Sequence, residues 1–135
     1  MPELPFPDDV RALLTKPNPA VVATLRSDGQ PVSVATWYLL EDDDRVLLNM
    51  DVTRVRLKHL RRDPRVTLTA LDEAEWYTHV SLIGRIVEIR DDEGLVDIDR
   101  LSTHYGGGPY PKRDSPRVSA WMQVDRWHGW GAAKD

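Results

Sequence analysis

No cysteine occurs among the 135 residues, so the chain forms no disulfide, offers no thiolate nucleophile and supplies no sulfur ligand to a metal. No apolar run approaches the roughly 20 residues that cross a bilayer, and no secretory apolar segment opens the chain. Cytoplasmic residence without a membrane partner is the expectation. The four histidines, His59, His79, His104 and His128, show neither His-x-His nor His-Glu-x-x-His spacing, so no metal site is expected. A hydrolase triad finds no support either, because Ser33, Ser81 and Ser119 lie in strand-like stretches without a nucleophile elbow. Gly106-Gly107-Gly108 neither follows a strand nor opens a helix, and so spells no dinucleotide or phosphate-loop fingerprint. Positive charge is also short: 18 Lys and Arg face 22 Asp and Glu, for a net charge of -4 and a pI near 5.5. Non-specific nucleic-acid binding needs a domain-wide basic field, which this balance excludes.

What positive charge there is sits together. Between Thr53 and Arg65 lie Arg54, Arg56, Lys58, Arg61, Arg62 and Arg65 against one acid, Asp63. The stretch reads as a helix: Thr53 is a good N-cap, Leu57 and Leu60 share a face, and Asp63-Pro64 ends it because the residue before proline avoids helical geometry. Arg54 and Arg56 then occupy the first turn, where unpaired amides and the helix dipole make cations unfavourable by roughly 0.3–1 kcal/mol each when exposed. A docked anion reverses the sign of that effect. On a helical wheel Arg54, Lys58 and Arg61 flank one side of the leucine stripe and Arg56 the other, so a phosphate could be held from both sides. The same charges on a plain solvated helix are the competing reading.

The rest of the chain punctuates itself into one domain, residues 1–135, with a mainly β fold. A short helix from Asp8 or Asp9 to about Lys16 precedes the apolar run Ala20 to Leu25, and Arg26-Ser27-Asp28-Gly29-Gln30 is a hairpin signal. Pro31 to Leu40 is apolar on both faces, which implies a closed or heavily covered sheet. Arg45 to Met50 makes a third strand and Arg65 to Leu71 a fourth. Trp76 to Ile89 makes a fifth, bent or bulged at Gly84. Asp91 to Tyr105 reads as a second helix on Leu95, Ile98 and Leu101, and Arg117 to Trp127 as a last strand alternating on Val118, Ala120, Met122 and Val124. Six strands at roughly ten-residue spacing predict an antiparallel, Greek-key-like barrel; the connections are too short for parallel crossovers.

The order of the Asp28-Gly29-Gln30-Pro31 hairpin, a strand ending Thr36-Trp37-Tyr38, another strand, then Thr53-Arg54-Val55-Arg56 and Leu60-Arg61-Arg62-Asp63-Pro64-Arg65-Val66 resembles the pyridoxamine 5′-phosphate oxidase-like split β-barrels. Within them it looks closest to the actinobacterial branch that uses the deazaflavin coenzyme F420 in place of FMN. The resemblance implies a split-barrel homodimer with two cofactors in interface grooves. It also implies that Arg54, Arg56 and Lys58 hold the cofactor phosphate, that the ring lies against Thr36, Trp37, Asn49 and Met50, and that Thr53 belongs to the cofactor-binding set. Such a ring carries the hydride itself, and the protein has mainly to align a substrate and exclude water. The implied activity is reduction of a small conjugated molecule. An FMN-dependent enzyme of the same fold and a non-catalytic carrier of cofactor or tetrapyrrole are the alternatives.

Aromatic residues complete the list of candidates. Trp121, Trp127 and Trp130 suit core or dimer-interface packing, whereas Trp37 and Trp76 flank the strands nearest the basic helix and suit a ring or substrate wall. Tyr38, Tyr77 and Tyr105 are each able to donate a proton, and the sequence selects none of them. The Gly106 to Pro116 loop is a candidate border of the substrate site.

Overall fold

The computed structural model describes residues 1–134. Alternating apolar residues build one seven-stranded antiparallel sheet from β1 (Ala20–Leu25), β2 (Pro31–Thr36), β3 (Leu39–Leu40), β4 (Val46–Asp51), β5 (Arg65–Leu71), β6 (His79–Asp91) and β7 (Arg117–Trp130). Their spatial order is β2-β1-β5-β6-β7-β4-β3. The two edge strands are therefore consecutive in the chain, with only Trp37 and Tyr38 between them. Three Cα steps reach at most about 11 Å, so the sheet must roll until its edges nearly meet. That is the expected split barrel, parted at Trp37.

Seven strands replace the expected six because Pro31 to Leu40 does not run as one strand. Thr36 Oγ1 donates to the Trp37 carbonyl (2.9 Å), and Tyr38 N donates to the Tyr105 hydroxyl (3.3 Å). These bonds take the backbone out of the ladder where the barrel parts. Cover on both faces, implied by the apolar pattern, is not supplied within one chain: β2 is exposed from Pro31 to Ala35.

Inside the roll, Val22, Leu68, Val80, Leu82, Ala120 and Met122 are buried together. Fully burying one such aliphatic side chain contributes about 1.5–3 kcal/mol. Helix α1 (Asp8–Leu14) adds Val10, Leu13 and Leu14, and α2 (Val55–Arg62) adds Leu57 and Leu60. A buried His59 fastens α2 to β1 through Nδ1 and Thr24 Oγ1, 2.9 Å apart. Helix α3 (Val96–His104) covers the outer face, where Ile98 and Leu101 pack on Leu47 and Trp121.

Several boundaries differ from the sequence expectation. Helix α2 begins one residue later than a Thr53 cap requires: Arg54 is the N-cap, and Thr53 donates from both N and Oγ1 to Asp51 Oδ1 (2.9 and 2.7 Å). The aspartate two residues back outcompetes the helix amides for that hydroxyl. Strand β6 starts at His79, because Asp72 and Glu75 accept bonds inside the turn before it and hold Trp76 there. It then continues to Asp91, so α3 starts only at Val96, after Gly94 (φ 68°) and Leu95 (φ 58°). Strand β7 also runs three residues further than expected, to Trp130. At Gly84 the β6–β7 register shifts, and a Cβ there would lie 1.9 Å from the Gln123 carbonyl oxygen. Only glycine fits that bulge.

Candidate cofactor cavity

Strand alternation sends Met50 and Asn49 to opposite faces of β4. Met50 joins the core at 1 % exposure, whereas Asn49 lines a cavity of about 640 Å³. The cavity opens where β2 ends. Ala35, Thr36 and Trp37 form one wall, and Ile98 and Leu101 of α3 form an apolar floor. Trp37 stacks on Tyr105 (5.2 Å between ring centroids, 14° between planes) and meets Tyr110 edge-on at 6.2 Å. Breaking the strand at Trp37 thus has a local consequence: it turns the indole into the wall of the slot.

Two cations enter this space. Arg56, in the first turn of α2, is half-buried and lines the cavity, and Arg117, the first residue of β7, lines it from another element. Arg117 Nε donates to Asn49 Oδ1 (2.7 Å), and its guanidinium lies 4.8 Å from the centroid of the Tyr110 ring. Among the described residues neither arginine forms a salt bridge, although twelve ion pairs occur elsewhere, from Arg11–Asp44 to Arg126–Glu3. Burial first, and then the charges of Arg54 and Arg117, push the Arg56 pKa below its ordinary value. A folded chain keeps like charges desolvated side by side only at a cost, and an anion between them removes it. Among the described residues Glu73 is the one carboxylate on the cavity wall, and its backbone N donates to Asn18 Oδ1 on the Pro17–Pro19 side.

The nine residues singled out from the sequence separate accordingly. Thr36, Trp37, Asn49 and Arg56 share the cavity. Met50 faces the core, and Thr53 and Arg54 are exposed beside the cavity but not on its wall. Lys58 lines a separate shallow pocket with Arg26 and Arg62. Trp76 is 68 % exposed and sits edge-on to Tyr77, outside the cavity. Of the cations expected to flank α2, with Arg54, Lys58 and Arg61 on one side and Arg56 on the other, Arg56 lines the cavity, and Arg117 of β7 lines it with Arg56. Sequence spacing carried no signal for Arg117, because 61 residues separate it from Arg56 and it reads as an ordinary strand start.

The tyrosines also sort themselves. Tyr38 is fully buried, its hydroxyl meets Asn18 Nδ2 and the Lys16 carbonyl, and burial raises its pKa strongly. Tyr105 donates its hydroxyl to the Asn18 carbonyl (2.7 Å) and accepts from Tyr38 N, and burial pushes its pKa up to about 12. Tyr77 lies outside the cavity.

A rolled antiparallel sheet parted at its edges, with a flat aromatic slot and a pair of unpaired arginines at the split, defines the split-barrel class with flavin-type oxidoreductase architecture. The family model of pyridoxamine 5′-phosphate oxidase matches residues 6–131, and the chain belongs to that family. Among solved structures it is similar to an F420 reductase, with TM-score 0.82, 21 % identity, and coverage of 90 % of this chain and 97 % of that one. It is also similar to a conserved hypothetical protein of Mycobacterium tuberculosis, with TM-score 0.70, 24 % identity, and coverage of 95 % and 86 %. A putative pyridoxamine 5′-phosphate oxidase of Listeria innocua gives TM-score 0.69, 15 % identity, and coverage of 90 % and 95 %. At these identities the likenesses establish the fold. No curated protein matches the chain.

Proposed function

We propose that the protein is a homodimeric oxidoreductase that binds coenzyme F420 and reduces a small conjugated molecule by hydride transfer. The observation that carries this reading is the cavity shared by Arg56 and Arg117, two cations with no carboxylate in ion-pair contact among the described residues. A phosphate between them gains charge-assisted hydrogen bonds and relieves their repulsion. Trp37, Thr36 and Ala35 offer a wall against which a tricyclic ring can lie, in a cavity of about 640 Å³. The bound ring supplies the hydride chemistry, and the protein's share is to seat it, orient the substrate and exclude water. The F420 reductase fold at TM-score 0.82 supports the deazaflavin over FMN. A second copy completes the groove in this reading, because Val21, Val32 and Val34 on β1 and β2 are each at least 36 % exposed and need cover.

Titrating the purified protein with F420 and with FMN, followed by fluorescence and calorimetry, tests the proposal. Binding of F420, with loss of reduced-deazaflavin absorbance in the presence of quinones, enones or biliverdin-like compounds, is the expected result. A yellow protein that binds FMN alone makes it the flavin enzyme of the same fold. Tight binding without turnover makes it a carrier, and no binding of either cofactor refutes the reading.

A further inference from the structure

Two buried carboxylates, Asp92 (6 % exposed) and Asp97 (8 %), connect to the cavity-lining Asn49, Asp92 directly and Asp97 through Ser119. Asp92 closes the start of α3: Asp97 N donates to its Oδ1 and Ile98 N to its Oδ2, both at 2.9 Å. Asp92 Oδ2 also accepts from Asn49 Nδ2 at 3.0 Å. That same amide nitrogen donates to Ser119 Oγ at 3.1 Å, and the Ser119 hydroxyl donates to Asp97 Oδ2 at 2.7 Å. On its other side the Asn49 carbonyl accepts from Arg117 Nε.

These bonds admit one orientation of Asn49. Turned over, its NH2 would oppose the Arg117 N–H and its carbonyl would oppose the Asp92 carboxylate, leaving two buried clashes where there were two bonds. The orientation matters to the cavity because the Arg117 guanidinium donates from Nε alone and lies over the Tyr110 ring, and its two terminal nitrogens have no hydrogen-bond partner among the described residues. A direct Asp–Arg ion pair would have neutralised the guanidinium. The intervening amide holds it in place instead, Asp51 opposite it on β4 acts on it through space without an ion-pair contact, and its terminal nitrogens are left for an external anion.

We infer that Asp92, acting through Asn49, is a positioning residue that sets Arg117 for a phosphate-bearing ligand, with Ser119 and Asp97 bracing the amide. The inference rests on the cavity's reading as an anion site, and it carries that reading from which residues line the site to what aims them. Asp92 does not line the cavity and touches no ligand in this account.

The test follows the side-chain Nε–H signals of 15N-labelled protein by NMR, with inorganic pyrophosphate as the anion, alongside thermal melting. In the unmodified protein the Arg117 Nε–H signal is expected to be shifted and slow to exchange, and pyrophosphate to bind. Asp92→Asn should speed exchange of that one signal at least tenfold and weaken pyrophosphate binding about tenfold in a protein that is still folded. Asn49→Ser leaves the Asp92 cap of α3 intact and should produce the same two changes, which keeps the test decisive should Asp92→Asn fold poorly. The double variant should be no worse than Asn49→Ser alone. If either folded variant keeps the Arg117 signal and the pyrophosphate affinity unchanged while only the melting temperature falls, Asp92 is a helix cap and nothing more. Absence of pyrophosphate binding in the unmodified protein counts against the anion site itself, and the Arg117 signal still decides the relay.

Discussion

At Arg56, burial and charge pull in opposite directions. The side chain is half-buried, its pKa is lowered by desolvation and by Arg54 and Arg117, and no carboxylate among the described residues pairs with it. Arg56→Met should therefore leave the melting temperature unchanged or raise it. It should weaken binding of a phosphate-bearing cofactor by about 10- to 100-fold, since hydrogen bonds to charged groups contribute about 1.5–3 kcal/mol. Arg54→Met, at an exposed position, should change affinity much less because solvent and salt screen it. Titration of both variants beside the unmodified protein checks the contrast. A second residue sets a pH dependence. Hydrogen bonds from Ser115 Oγ and from Thr53 N and Oγ1 hold the Asp51 carboxyl well below the usual carboxylate range. A depressed folded value stabilises the fold above the unfolded carboxyl pKa of about 3.9 and loses that stabilisation as pH falls toward the folded value. Thermal melts from pH 5 down to pH 2 should fall more steeply for the unmodified protein than for Asp51→Asn.

At the scale of elements, most of the sheet was legible because strand alternation and turn residues report it directly. The inward residues Val118, Ala120, Met122 and Val124 follow the alternation read from the sequence, and the bulge falls at Gly84 as its isolated glycine suggests. Gly84→Ala should cost about 1–3 kcal/mol in chemical denaturation, because its Cβ would have to displace the Gln123 carbonyl. What escaped the sequence was decided by long-range bonds. The β2–β3 break needs Tyr105, 67 residues beyond Tyr38, to accept the freed amide. The start of α3 needs Asp92 to fold back on two amides past a left-handed Leu95, which no propensity for leucine predicts. Half of the cavity was hidden for the same reason. The basic helix announced Arg56 through charge density, whereas Arg117 joins it only because β7 pairs antiparallel with β4, setting Arg117 opposite Asp51.

At the scale of the whole molecule, the apolar pattern of Pro31 to Leu40 is not covered within one chain, and the proposed homodimer is what would cover it. Val21, Val32 and Val34 stay exposed side by side on the β1–β2 hairpin, which is an edge of the sheet. Sedimentation should give a species of twice 15.4 kDa, and Val34→Lys should shift it toward the monomer by placing a charge in the buried patch. No helix among the described residues is long and apolar enough to cross a membrane. One physical claim underlies the proposed site: among the described residues Arg56 and Arg117 make no ion pair, so that a ligand's phosphate can sit between them. The most direct measurement compares F420 with its phosphate-free deazaflavin on the unmodified protein and on Arg56→Met/Arg117→Met. The account predicts that the unmodified protein prefers F420 by at least about tenfold, in line with one or two charge-assisted bonds, and that the double variant loses the preference while still folding. Equal binding of the two deazaflavins by the unmodified protein would contradict it.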